Sequence, residues 1–373
     1  MGVIGTAAAF IGLLVILVLV HELGHFVAAK RAGITVQEFG IGFPPRIGSV
    51  VWRGTRYSLN WIPLGGFVKM LGEDGDIEAQ RMRQQGLSEG AIEQAMGGAF
   101  NRKPIWVRLV VLLAGVAMNF LLAIVAFSVM LSLPQPVLVG PLTVTAIQPG
   151  SPAAGVLRVG DQIVTADGRS FERSADLTQY VRQRAGSPVT LGVKRDGHTT
   201  SVRVTPRQLT QQQIQAGQGA VGFSWRAATR ELAPAASNPL QAVWEGTRLT
   251  WDIALQIPGG LARSVAGLIG LAPNTGAARG PIGIAQATGE VLGQPLATQL
   301  AFVALLSVNL AVLNILPFPP LDGGRMAVTL LEAARRRRLS AQREALIYLT
   351  GFAVLIALVI LISIQDIGRL PGS

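Results

Sequence analysis

The sequence predicts an α-helical polytopic membrane protein with about four transmembrane helices, a membrane-associated β-hairpin or sheet after the first helix, and one inserted extracytoplasmic α/β module. Half of the 373 residues are hydrophobic and only 14% are charged, and the mean hydropathy is +0.44. This composition is too apolar for an ordinary soluble protein. Four apolar stretches are long enough to cross a bilayer. Residues 34–70 and 139–206 instead alternate between apolar and polar side chains, as strands do.

Charge and cysteine content limit the classes of function. The net charge is +11, but the basic residues are dispersed or lie beside apolar stretches. This distribution favours a membrane surface over nucleic acid as the partner. The chain contains no cysteine, which excludes a disulfide framework and thiolate chemistry. We therefore expect the lipid bilayer as a partner and no nucleic acid.

The first predicted span covers residues 4–29 and lacks the basic n-region of a secretory signal, so we expect a retained helix. It contains the run His21-Glu22-Leu23-Gly24-His25. Positions i and i+4 lie on one face of a helix, so His21 and His25 can bind a single metal ion. Glu22 is then placed to act as a general base, the arrangement found in zinc hydrolases. Surface or core histidines are the alternative interpretation, but ionisable groups inside a membrane helix are usually functional.

The residues between the first two spans predict a sheet followed by a polar, partly helical loop. Residues 34–70 alternate like strands, with a hairpin connection at residues 53–55. Near their end an apolar run is interrupted by Gly65 and Gly66. Because open sheet edges are not stable in lipid, we expect this sheet to be buried in protein or to line a cavity. The second span is predicted at residues 105–133.

A soluble module is predicted at residues 139–206, with four strands and a helix at residues 174–185. An Asp-Gly turn places His198 in an exposed hairpin, so we do not expect it to bind the metal. Residues 207–296 predict a linker and amphipathic helices that lie at an interface.

The third span, residues 297–316, ends in a run rich in proline and glycine that contains Asp322. Proline removes backbone hydrogen bonds and glycine permits close approach, so this end of the helix is predicted to be broken. Asp322 is either the third ligand of the metal or the N-cap of a helix that starts near Arg325. Four consecutive arginines at residues 335–338 precede the last span, residues 345–364.

These elements divide the chain into a first membrane region, an inserted module, a connecting region and a second membrane region, at residues 1–135, 139–206, 207–296 and 297–373. Basic residues concentrate in the loop between the first two spans and in the loop between the last two. The positive-inside rule therefore predicts that both loops are cytoplasmic. With four spans, both termini and the inserted module are then extracytoplasmic.

The chain resembles the bacterial site-2 protease family, the intramembrane zinc metalloproteases of the regulator of sigma-E protease type. His21-Glu22-Leu23-Gly24-His25 is similar to the zinc motif of that family. Asn314-x-x-Pro317-x-Pro319-x-Leu321-Asp322-Gly323 is similar to its second signature. Residues 139–206 resemble one bacterial PDZ domain through the run Gly150-Ser151-Pro152-Ala153-Ala154 and the pair Gly160-Asp161. The family commonly has Gly-Pro before the asparagine of the second helix, where this chain has Gly115-Val116-Ala117-Met118-Asn119.

This resemblance implies a site-2-type zinc metalloendopeptidase of the bacterial inner membrane. One Zn²⁺ per chain is expected on His21, His25 and Asp322, with Glu22 as the catalytic base. The expected substrate-binding residues are Asn314, Pro317, Pro319, Gly65 and Gly66. The resemblance further implies regulated cleavage of single-pass membrane proteins, such as anti-sigma factors or signal-peptide remnants. The PDZ-like module is expected to bind an extracytoplasmic peptide or chain end.

Two functions from other classes are alternatives. The first is a PDZ-bearing membrane scaffold with a non-catalytic metal site, against which Glu22 argues because a structural site needs no base. The second is a metal transporter, in which intramembrane histidine and aspartate bind zinc transiently. The soluble module and the single metal-binding constellation favour the protease.

Overall fold

The computed structural model of the chain describes residues 2–73, 77–171, 174–209, 219–236, 238–268, 271, 280–337 and 339–367. The chain forms two compact units. The first unit combines Met1–Ser132 with Ala236–Ser373, and the second is Leu133–Ala235. The second unit is therefore an insertion into the first.

Four helices in the described part of the first unit are long and apolar enough to cross a membrane. They are α1 (Val3–Arg31), α4 (Ile105–Ser132), α8 (Leu296–Ile315) and α10 (Ala341–Ile367). These four helices confirm the prediction of about four spans. Such stretches are helical because an apolar chain in lipid can satisfy its backbone hydrogen bonds within one segment only as a helix. The last turn of α1 carries Lys30 and Arg31, which favour the carboxyl end of a helix.

Helix α4 is the centre of this unit. The remaining long helices are α6 (Pro239–Leu268), α7 (Pro281–Leu292) and α9 (Asp322–Arg335). Helix α4 packs against α1, α6, α8 and α9. Its Ala123, Ala126 and Phe127 are buried together with Ala304 and Val308 of α8. Small residues at these positions let the helix backbones approach each other closely.

A sheet follows α1, formed by strands β1 (Val36–Trp52) and β2 (Thr55–Met70). The beginning of β1 pairs with two parts of β2, one near its start and one at its end, and the end of β1 also pairs with the start of β2. Gly40 of β1 pairs with Phe67 on one side and with Ser58 on the other. The hairpin predicted between residues 34 and 70 is therefore folded into a sheet of four short segments.

The outer segments of this sheet are residues 46–52 and 66–70. Residues 46–52 pair with residues 55–60, and residues 66–70 pair with the beginning of β1. In the described part of the chain no further strand joins either outer edge. Val50 and Trp61 are 69% and 67% exposed, and such exposed apolar side chains are expected of a membrane-associated sheet.

The loop predicted between the sheet and the second span contains helices α2 (Ile77–Gln84) and α3 (Glu89–Ala95), followed by two 3₁₀ turns at Met96–Gly98 and Phe100–Arg102. Ala79, Ile92 and Met96 form a small apolar core with Leu71. This core fixes the loop beside the end of β2.

The second unit is a sheet with one helix. Its elements are β3 (Pro134–Ile147), β4 (Gln162–Ala166), β5 (Arg169–Ser170), α5 (Ser174–Gln183), β6 (Val189–Arg195), β7 (His198–Val204) and β8 (Phe223–Pro234). The strand order is β7-β6-β4-β3-β8, with β5 paired to β4. Leu142, Ile163 and Leu191 are buried in its core. His198 is exposed at the start of β7, as its Asp-Gly turn predicts.

This unit extends beyond the predicted module, residues 139–206, at both ends. Strand β8 pairs with β3 from Pro134↔Pro234 to Ile147↔Phe223, so residues on both sides of the predicted module belong to its sheet. The region predicted as linker and amphipathic helices, residues 207–296, therefore also contains a strand. Within that region the sequence places a linker rich in glycine and alanine at residues 272–279, which lies outside the described residues, as does Arg338.

Candidate metal centre

The two histidines of α1 lie side by side in the interior of the first unit. His21 and His25 are only 6% and 5% exposed. Their Nε2 atoms are 3.1 Å apart, because a separation of four residues places both rings on one helix face. His25 Nδ1 lies 2.8 Å from the carbonyl oxygen of Val111 in α4. A proton on Nδ1 donated to this carbonyl leaves His25 Nε2 free to bind a metal.

Asp322 reaches the same point from the other end of the chain. Its Oδ2 lies 2.8 Å from His21 Nε2 and 3.2 Å from His25 Nε2. Asp322 is the first residue of α9, and Leu321 is the N-cap. The interpretation of Asp322 as an N-cap is therefore wrong. Its carboxylate is directed at the histidines and not at the helix backbone.

Two glycines after Asp322 allow this geometry. A methyl group on Gly323 would overlap the carbonyl oxygens of Ile315 and Leu316. A methyl group on Gly324 would lie 2.7 Å from backbone atoms of Phe318 and Pro319. Both contacts would be closer than the van der Waals separation of a carbon atom allows. The start of α9 can therefore fold back onto the end of α8 only because these positions lack side chains.

The three side chains fit a zinc ion. One ligand atom from each of His21, His25 and Asp322 lies within 4.8 Å of the others, and the described residues contain no second group of this kind. Two imidazoles and a carboxylate suit zinc, and a set of three protein ligands leaves a coordination position open. His21 and His25 are buried and Asp322 is half-buried, so the surrounding protein limits the access of solvent to the donors.

Asn119, the asparagine of the second span, lies on α4 next to His21. It is fully buried, and its Nδ2 lies 3.2 Å from His21 Nδ1. A histidine that binds metal through Nε2 carries its proton on Nδ1 and needs an acceptor there. Asn119 Oδ1 has no hydrogen-bond partner within the described residues, and half a turn of the amide brings it to this proton. Ser307 Oγ in turn donates to the Asn119 carbonyl at 2.8 Å.

Two further glycines bring α1 and α4 together. A side chain on Gly24 would overlap the carbonyl group of Ala114. A methyl group on Gly115 would overlap His25 Nε2 and lie 2.9 Å from His21 Cε1. Gly115 thus provides the space that the two imidazoles occupy. The sequence signal for this contact was a small residue, followed four positions later by a polar one, inside a span.

Glu22 is half-buried on the turn that carries His21. The ionisable side chains around its carboxyl are those of His25, Asp322, Glu73 and Arg325. Glu22 is therefore next to the metal ligands without being one of the three converging donors. This position is the one that a general base needs.

The structure places the predicted substrate-binding residues at different distances from this centre. Asn314 Nδ2 lies 3.5 Å from His21 Nε2, so Asn314 is at the edge of the site. Pro317 is exposed, whereas Pro319 packs against Gly351 of α10.

Gly65 and Gly66 of β2 lie against the turn of α1 that precedes His21. A methyl group on Gly65 would meet Val18 at 3.2 Å, and one on Gly66 would meet Leu19 at 2.9 Å. Gly65 has a φ of +116°, which side chains rarely permit. Strand β2 therefore contacts α1 directly at the turn that precedes His21.

Comparison with known proteins agrees with this site. Residues 9–358 match Peptidase family M50. The chain is 31% identical to the metalloprotease MmpA of Caulobacter vibrioides, over 95% of this chain and 93% of the relative. It is 29% identical to the zinc metalloprotease RasP of Geobacillus kaustophilus, over 95% of each chain.

Among solved structures, the PDZ domain of the SdrC-like protein Lin2157 from Listeria innocua covers 24% of this chain and 98% of its own, with 22% identity and a TM-score of 0.21. The matches to Peptidase family M50 and to the two metalloproteases extend over nearly the whole chain. Family membership implies a zinc cofactor, for which the structure has a fitting set of donors. The chain belongs to peptidase family M50, the site-2 proteases, and is a zinc metalloprotease of the inner membrane.

Proposed function

We propose that this protein hydrolyses peptide bonds within or near the transmembrane segments of single-pass membrane proteins. One observation carries the proposal. His21, His25 and Asp322 bring three metal donors together on and beside a membrane-spanning helix, with Glu22 on the same turn. A protease with its site at this depth acts on bonds that soluble enzymes do not reach.

His21, His25 and Asp322 hold one zinc ion per chain in this proposal. When bound, zinc supplies Lewis-acid chemistry that activates water and polarises a peptide carbonyl. Glu22 accepts a proton from the attacking water at its carboxylate and then donates a proton to the nitrogen of the leaving amine. Asn119 and Val111 hold the two imidazoles in the orientation that this chemistry needs.

Substrate binding requires an extended backbone, because a helical substrate keeps its carbonyls in its own hydrogen bonds. The segment 66–70 is an outer edge of the sheet, and an extended peptide can add to such an edge. Gly65 and Gly66 place the start of that edge against α1. Asn314 is positioned to bind the substrate backbone or the developing oxyanion. Pro317 and Pro319 keep the adjoining segment out of a helix.

The substrates in this proposal are single-pass proteins such as anti-sigma factors or signal-peptide remnants. The concentration of basic residues in two loops supports an orientation with both termini and the inserted unit extracytoplasmic. In that orientation the PDZ-like unit meets the peptide or chain end that a first cleavage outside the membrane creates. We further propose that this unit restrains cleavage of substrates that have not been cut.

The test is to replace Glu22 by Gln, which keeps the size of the side chain and removes its base. We expect Glu22→Gln to retain zinc while cleavage of a transmembrane reporter falls at least about a hundredfold. His21→Ala and Asp322→Ala are the matched comparison, because each should lose both zinc and activity. Zinc per chain is measured on purified protein beside the cleavage rate. Near wild-type cleavage by Glu22→Gln would show that another group moves the proton.

A further inference from the structure

An ion pair that involves none of the metal ligands joins the end of the sheet to α9, the helix that begins at Asp322. Glu73, in the turn after β2, accepts a hydrogen bond from Arg325 Nη1 of α9. The exposed fractions of the two side chains are 15% for Glu73 and 31% for Arg325. Arg325 follows Asp322 by three residues, about one helical turn. Its guanidinium also lies 5.8 Å from the ring centroid of Tyr348 in α10.

Glu73 also holds the end of the edge segment. Its Oε2 accepts a hydrogen bond from the backbone N–H of Met70, the last residue of β2, at 3.1 Å. The next residue, Leu71, donates its N–H to the Thr35 carbonyl at 2.9 Å. One carboxylate therefore binds both the end of the segment 66–70 and the helix that begins at Asp322.

The other end of the same segment is fixed to the histidine helix. Gly66 packs on Leu19, two residues before His21. Segment 66–70 is thus held at its start by α1 and at its end by α9, and those two helices carry all three metal ligands. A substrate strand paired with this segment takes its register from both attachments.

We propose that Glu73 and Arg325 are positioning residues that set the register of an extended substrate relative to the metal centre. This inference rests on the proposed function, since it assumes that substrate adds to the edge at residues 66–70. Neither side chain needs to touch the substrate. Their ion pair fixes the distance between the edge segment and Asp322, and a misplacement of about 1 Å costs on the order of a hundredfold in rate.

The experiment uses the full-length protein in nanodiscs and a synthetic single-span peptide that the wild-type protein cleaves. A second peptide carries N-methyl groups on alternate backbone amides around the cleaved bond, which blocks strand pairing. Wild type should cleave the methylated peptide at least about tenfold more slowly. Glu73→Gln and Arg325→Gln should retain zinc, lose about tenfold or more in kcat/KM on the unmethylated peptide, and show a smaller effect of methylation.

Two further variants separate positioning from folding. The exchange Glu73→Arg with Arg325→Glu should recover part of the lost kcat/KM, because it restores the ion pair in reverse but not the hydrogen bond that Glu73 accepts from the Met70 N–H. Glu89→Gln is the matched control, since it removes an exposed ion pair with Arg83 in the same unit and should change neither peptide's cleavage.

The outcomes distinguish the two proposals. If methylation leaves wild-type cleavage unchanged, strand addition is wrong and this inference falls with it, while the zinc chemistry is unaffected. If wild type is sensitive to methylation but Glu73→Gln and Arg325→Gln keep both the full sensitivity and the full rate, only the positioning role is refuted. Loss of zinc and of folded protein in both single variants, without recovery in the exchange variant, would show a structural ion pair and would also refute it.

Discussion

Replacing Gly115 by Ala tests how tightly the metal centre is packed. The added methyl group would overlap His25 Nε2 and lie 2.9 Å from His21 Cε1, whereas ordinary contacts begin near 3.4 Å. Both imidazoles, or the whole of α4, must therefore move, the His21 ring by about 0.5 Å and the His25 ring by more. Overpacking of this kind costs about 1–3 kcal/mol. Because the displaced groups are the metal donors themselves, zinc affinity should fall about 10- to 100-fold.

The assay measures zinc affinity by competition with a chelator, together with cleavage of a transmembrane reporter at saturating zinc. We expect Gly115→Ala to bind zinc more weakly and to cleave about a hundredfold more slowly even when loaded. Gly12→Ala is the matched control, because nothing lies within 4 Å of the added methyl group and alanine favours a helix. Unchanged zinc affinity and rate in Gly115→Ala would refute the close packing of α4 on the histidines.

Three other predictions concern the inserted unit. A hydrogen bond from Arg195 to the buried Asp161 lowers the pKa of that carboxyl. The ionised Asp161 therefore stabilises the folded unit fully above the ordinary aspartate pKa of about 4, and this stabilisation is lost as the pH falls through the lowered pKa of the folded state. The protection of the unit's amides against exchange, relative to the unfolded chain, should therefore fall only below about pH 4, and Asp161→Asn should remove this dependence and cost about 2 kcal/mol at neutral pH. A topology reporter inserted at Gly168 should read as extracytoplasmic, and a cytoplasmic signal would overturn the proposed orientation. Replacing residues 133–235 as a whole by a flexible linker should allow cleavage of uncut substrates, and continued resistance of those substrates would refute restraint by the unit.

Much of the first unit can be predicted from local sequence. The four spans follow from hydropathy alone, because lipid leaves a continuous apolar chain no alternative to a helix. The proximity of His21 and His25 follows from helical periodicity. The position of Asp322 does not, because its contact with His21 spans 301 residues and depends on how α9 folds back onto α8. Spacing within either motif contains no information about that distance.

The contacts that sequence reasoning missed arise from tertiary packing. Asn119 could be recognised as a polar residue inside a span, but its pairing with His21 depends on the crossing of α1 and α4. Strand β8 was missed because the polar residues after Pro206 indicate the end of the module, whereas β8 follows them and pairs with β3 at the beginning of the unit. The double pairing of β1 and β2 was also missed, since alternation marks strands without indicating which edges they share.

The distribution of the metal donors over the chain has a mechanical consequence. Two donors lie on α1, which glycine contacts lock against α4, and the third lies on α9 after a segment rich in proline. A zinc ion bound here is therefore a cross-link between two parts of the molecule. By mass action its binding energy adds to the stability of the assembled state. Chelation should then release the start of α9 before it disturbs the α1–α4 pair, so hydrogen exchange near Asp322 reports zinc occupancy directly.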